Sequence, residues 1–147
     1  MHPIPSVIAR FIRENHVLSL ATILDGRPWA ASCFYAFDED GARLIVLTEP
    51  STRHGLAMHA NQEVAGTIAG QPQVITDIQG IQFRAHASLL SNGAATDARQ
   101  LYCRRHPAAR LKPAPVWQLL LAELKFTDNS LVFGRKTLWQ RETESDS

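Results

Sequence analysis

The chain has 147 residues, of which 45% are hydrophobic and 20% charged, and a formal net charge of +1, values typical of one globular domain. This composition excludes disordered, collagen-like and disulfide-scaffold classes, and the near-zero charge offers no global field to recruit nucleic acid or an acidic membrane. Cys33 and Cys103 form neither a CxxC pair nor a zinc spacing, so they are expected as free thiols in a reducing cytosol.

Ser6 is expected to cap a short helix whose residues Val7, Ile8, Phe11 and Ile12 recur at helical spacing. Arg10, Arg13 and Glu14 interrupt this apolar pattern, so it lacks the core of a signal peptide. From His16 to Leu24 the pattern alternates in strand fashion and runs into Asp25-Gly26, a strong hairpin signal. Arg27 to Phe37 reads as the return strand, Asp38 to Gly41 as a turn, and Arg43 to Thr48 as a third strand. Pro50 and Ser51 open a second helix, Thr52 to about Ala60, and Glu63 to Ala69 is again a strand. Gln73 to Leu90 reads as one more strand, with interruptions at Asp77 and Gly80. A third helix is expected over Ala94 to His106, followed by an irregular loop with three prolines from Pro107 to Pro115. Val116 to Thr127 and Leu131 to Arg141 close the series as strands. Residues 1–141 thus form one domain, and 142–147 a polar tail expected to be disordered. Six or seven antiparallel strands with three short helices imply a mainly β fold, an antiparallel barrel with helical plugs. No stretch reaches the ~20 apolar residues of a membrane helix, so a soluble cytoplasmic protein is expected.

The usual catalytic signatures are missing: there is no G-x-S-x-G, no P-loop, no G-x-G-x-x-G and no H-E-x-x-H. His54 and His59 are five residues apart, a poor metal spacing on a helix, and no metal site is expected. Cys33, beside Phe34 on a strand, reads as a small buried hydrophobe, and Trp29, Trp117 and Trp139 as core or interface residues. Two features suit anions. The stretch Thr48-Glu49-Pro50-Ser51-Thr52-Arg53-His54 joins a buried strand to a helix start, where capping by Ser51 or Thr52 leaves amides to face a phosphate. Arg53 there opposes the helix dipole, which an arriving phosphate would offset. The second feature is the basic cluster Arg99, Arg104, Arg105, His106, Arg110 and Lys112, which could bind nucleic acid or an acidic substrate tail but, with no run of interleaved aromatics, reads most simply as a solvated helix face. No residue stands out as a general acid or base.

The order of these parts resembles the pyridoxamine 5′-phosphate oxidase-like FMN-binding split barrels. The shared text runs from Val-Leu-Ser-Leu-Ala-Thr-Ile and Asp-Gly-Arg-Pro through Leu-Ile-Val-Leu-Thr to Thr52-Arg53-His54. More narrowly the chain resembles the YhbP family of small bacterial proteins. That likeness rests on Val64-Ala65-Gly66-Thr67, Gly70-Gln71-Pro72, Gly80-Ile81-Gln82-Phe83, Ala114-Pro115-Val116-Trp117, Lys125 to Asn129, Phe133-Gly134 and Trp139. The resemblance covers nearly the whole chain. It implies a homodimer with FMN at the subunit interface and a flavin-dependent oxidoreductase of unknown substrate. The flavin-lining strand then falls on Ala30 to Tyr35, with Ala31, Ser32, Cys33 and Phe34 flanking the ring. Leu47 and Thr48 fall at the third strand's end, Thr52, Arg53 and His54 on the phosphate, and Gln82 on a polar flavin contact. Ala30 and Tyr35 replace the family's Arg and Lys, and His54 replaces a Lys. The substrate motif near the C-terminus is absent, with Phe133-Gly134-Arg135-Lys136 the nearest text. These departures point away from pyridoxine biosynthesis. They motivate an alternative: a dimeric split-barrel binding protein that has lost FMN or takes haem or a deazaflavin.

Overall fold

A computed structural model describes residues 2–130 and 134–142. Helix α1 (Ser6–Glu14) buries Ile8, Ala9, Phe11 and Ile12 on one face, as its spacing predicts. Its cap differs from expectation. Pro5 holds the N-cap position, and its carbonyl accepts from the amides of Ile8 and Ala9 at 3.0 Å, while Ser6 already lies inside the helix. Strand β1 (Val17–Leu24) alternates exposed and buried residues and pairs in full register with β2 (Arg27–Phe34), from Val17↔Phe34 to Leu24↔Arg27. Asp25 (φ 54°) and Gly26 (φ 75°) are both left-handed, the geometry that a two-residue hairpin turn requires.

The return strand breaks at Tyr35, so β3 (Ala36–Asp38) is a separate strand. This raises the number of strands to eight among the described residues. After a turn whose left-handed residue is Ala42 (φ 49°) come β4 (Arg43–Leu47), α2 (Arg53–Ala60) and β5 (Glu63–Ala69). Gln73 to Ile78 do not extend the next strand. A 3-10 turn at Ile75–Asp77 intervenes, and β6 is Gln79–Leu89. Helix α3 is Asn92–Arg105, and the proline-rich segment opens with a 3-10 turn, Pro107–Leu111. The last strands are β7 (Val116–Asp128) and β8 (Arg135–Gln140). Of the expected final strand, Leu131 to Phe133 lie outside the described residues, as does most of the polar tail.

All strands join one antiparallel sheet in the order β2-β1-β5-β6-β7-β4-β3, with β8 also on β7. The 13-residue β7 is the hub: β6 runs along one edge, while β4 takes the first half of the other edge and β8 the second. The sheet's two ends, β2 and β3, are consecutive in the chain, and this curls the sheet into a split barrel. Leu18, Leu20, Ile68, Ile81, Leu119 and Leu121 fill its interior. A smaller cluster, Ala36, Ile45, Ala98, Tyr102 and Val116, fixes α3 against β3, β4 and β7. Both cysteines are buried free thiols. No described helix is long and apolar enough to cross a membrane.

Candidate functional site

The end of β4 and the start of α2 form a hydrogen-bonded corner. Thr48, 3% exposed, donates its amide to the Pro115 carbonyl at 3.1 Å, and its own carbonyl accepts from the Trp117 indole at 3.2 Å. The Thr48 hydroxyl lies 3.4 Å from His54 Nε2. The Thr52 hydroxyl caps α2, accepting from the Gly55 amide at 3.1 Å and donating to the Glu49 carbonyl at 2.8 Å. The loop closes this tightly because residue 55 is glycine, since a Cβ there would collide with the Glu49 carbonyl oxygen. The amides of Arg53 and His54 precede the first bond of the helix, Leu56 to Thr52, and so remain available to an anion.

Facing this corner are the end of β2, the end of α3 and the segment 106–114. Arg99 reaches from α3 to that segment and donates to the carbonyls of Ala109 (3.1 Å), Lys112 (2.6 Å) and Ala114 (3.0 Å). Expected on a solvated face, it is instead a latch. His106 Nε2 lies 2.7 Å from the Tyr35 carbonyl, which can only accept, so this nitrogen carries the proton. Its ring packs on Tyr102 (4.9 Å between centroids) and edge-on to Phe34 (5.5 Å).

These elements enclose a cleft of about 740 Å³. Seven of the ten residues that the resemblance places on the flavin border it: Ser32, Cys33, Phe34, Leu47, Thr48, Thr52 and His54. Three do not. Ala31 pairs with buried Leu20 on the inner side of β2. Arg53 lies over the Trp29 ring, 3.8 Å from its centroid. Gln82 sits between buried Ile81 and Phe83, so strand parity turns it outward into a separate groove with Lys125 and Trp139. Arg105, His106 and Lys112 of the basic cluster border the cleft as well, as does Tyr102, which neither anion-suited feature of the sequence included. Burial pushes the Cys33 thiol up to about 11, keeping it neutral, and holds His54 below the usual imidazole value. His54 is therefore a neutral hydrogen-bonding group at pH 7, one that an adjacent phosphate would tend to protonate.

No protein-family model matches the chain. A UPF0306 protein of Yersinia enterocolitica is 48% identical over 135 residues, 92% of either chain. Another UPF0306 protein, from Yersinia pestis, is 49% identical over the same length and shares. Among solved structures, a heme binding protein from Mycobacterium smegmatis superposes with a TM-score of 0.76 at 17% identity, covering 93% of this chain and 59% of that one. An FAD-binding protein from Mesorhizobium loti gives 0.68 at 15% identity, covering 84% of this chain and 94% of that one. HutZ, a heme storage protein from Vibrio cholerae, gives 0.64 at 16% identity and covers 99% and 100%. At these identities the likeness is one of fold.

Proposed function

The chain belongs to the UPF0306 family, and from that premise we propose that it binds FMN in the cleft and acts as a flavin-dependent oxidoreductase. One observation carries the reading: a single cleft joins an anion-suited corner to an apolar wall. The corner offers the first amides of α2, the hydroxyls of Thr48 and Thr52, and His54. The wall offers Phe34, Leu47 and Tyr102 for a flat ring. The volume of about 740 Å³ falls within the roughly 300–1,000 Å³ usual for cofactor sites. When bound, the flavin would supply the electron chemistry, and the chain's own residues would hold and orient it. A second copy of the chain would complete the site, covering the exposed Phe34 at its lip.

The test is a visible absorption spectrum of the purified protein before and after adding FMN and desalting. Retained flavin bands are expected, and a protein that stays colourless after FMN overturns the reading. Arg53 must leave the Trp29 ring to reach the phosphate, which costs about 0.5–1 kcal/mol. Its charged hydrogen bond outweighs that cost, so Arg53→Ala is expected to weaken FMN binding by about 1–2 kcal/mol, roughly five- to thirtyfold. An unchanged dissociation constant removes Arg53 from the site.

A second reading, haem, is favoured by His106. Its Nε2–H is held by the Tyr35 carbonyl, leaving the Nδ1 lone pair on a cleft-lining ring, the arrangement in which an imidazole serves as a metal ligand. A Soret band that forms with added haem and is lost in His106→Ala would establish it.

A further inference from the structure

The α3 side of the cleft carries polar groups, the Tyr102 hydroxyl among them, that stacking a flavin ring leaves unused. Tyr102 is 7% exposed and borders the cleft, yet its hydroxyl has no hydrogen-bond partner among the described residues. No buried polar side-chain atom among the described residues lacks a partner, so this hydroxyl keeps access to solvent and is free to donate to a ligand atom in the cleft. Burial also holds Tyr102 above the ordinary phenol value, which keeps it a neutral donor. Arg105 and Lys112 border the same cleft, and neither has a carboxylate within ion-pair distance among the described residues. The one carboxylate on the cleft's border, Glu49, belongs to the β4–α2 corner. A helix C-terminus accounts for Arg105 through its dipole, but Lys112 lies beyond the helix on the latched segment, so the dipole does not explain the pair.

We propose that this wall binds the oxyanion of the second substrate, a small molecule bearing a carboxylate or phosphate group. The Arg105 fork and the Lys112 ammonium supply charge, and Tyr102 donates a hydrogen bond. The packed ring of His106 fixes one side of the subsite. The inference rests on the reading that the cleft is the ligand site, with the flavin phosphate at the α2 corner and the substrate's anion at the α3 wall.

Calorimetric titration with benzoate and, separately, phenyl phosphate tests it at constant ionic strength, in flavin-free and FMN-loaded protein. Saturable binding is expected, weakened tenfold or more by Arg105→Gln and severalfold by Tyr102→Phe. Arg110→Gln, in a neighbouring groove on α3, should leave it unchanged. Either order of affinity for the two probes supports the site and names its oxyanion. Absence of saturable binding by both probes overturns it, as does equal weakening in Arg110→Gln, which marks a diffuse charge effect. A protein that binds benzoate but ignores FMN refutes the flavin reading and keeps this wall, whereas one that retains FMN and ignores both probes refutes the wall alone.

Discussion

His54 pairs with the Thr48 hydroxyl at the cleft's corner, and its protonation ties stability to ligand binding. Burial lowers its folded-state value below the ordinary 6.5, so the fold favours the neutral ring. The unfolded chain therefore takes up the proton first as pH falls. The stabilisation from the neutral ring is complete above about pH 6.5 and is lost on the acid side. Melting curves between pH 8 and 5 should show an acid-side decline that is shallower in His54→Asn, and identical declines would dismiss this account. FMN should reverse the preference, because its phosphate stabilises imidazolium. Its affinity is expected to rise from pH 8 to 6.5 in the native chain and to stay flat in the variant. At this scale the sequence shows one half of the site. Thr48, Thr52 and His54 lie within seven residues and leave a local pattern of strand end, cap and helix start. Tyr102, Arg105 and His106 come from some fifty residues further on; the sequence shows Arg105 and His106 as a basic cluster, but only the closed sheet brings them and Tyr102 to the corner. Gln82 shows the opposite case. It is polar and sits beside a recognisable motif, but strand parity faces it outward.

Elements decide how firmly the two halves of the cleft are held. Arg99 has three carbonyl acceptors on the segment 106–114 and ties its far half to α3, while the His106 amide on the Tyr102 carbonyl holds its start. Arg99→Ala is expected to raise hydrogen exchange of the amides from Ala108 to Lys112 by roughly ten- to a hundredfold, the scale of one lost charged hydrogen bond. Exchange unchanged from the native protein would show that the segment is held by packing alone. Tyr35 plays the matching part for α1. It is 1% exposed, and its hydroxyl donates to the Ile12 carbonyl at 2.7 Å in the last turn of that helix. Tyr35→Phe strands a buried acceptor and should cost about 1–2 kcal/mol, read as a melting temperature lower by a few degrees. A variant that melts with the native protein would mean the helix end finds another donor. Tyr35 also explains why the return strand is longer in the sequence than in the structure. From Ala30 to Phe37 there is no Gly, Pro, Asn or Asp to mark a turn, so the sequence carries no signal for the break at Tyr35. Hairpins such as β1–β2 were legible because Asp25-Gly26 encodes its own turn, whereas the pairing of β1 with β5 and of β4 with β7 is long-range and left no such mark.

Across the whole molecule, the surface beside the cleft has an unsolved burial problem. Val17 and Phe34 are cross-strand partners at the outer end of the β1–β2 hairpin, and they remain 36% and 55% exposed. His16 stacks on Phe34 at 6.0 Å, extending the patch, and Phe34 itself forms part of the cleft's lip. A flat ring bound there would present still more apolar surface to water unless another chain covered it. A second copy meets that need, and a two-fold arrangement would cover both clefts at once. The protein is therefore expected to run in light-scattering chromatography at twice its 16.3 kDa chain mass. Phe34→Glu, which sets a charge in the lip without altering the barrel interior, should yield a folded monomer that no longer retains FMN. A native protein at the single-chain mass overturns the dimer. A monomeric Phe34→Glu variant that keeps its flavin would instead show that each cleft is complete within one chain, and that the exposed hairpin serves assembly without serving the cofactor.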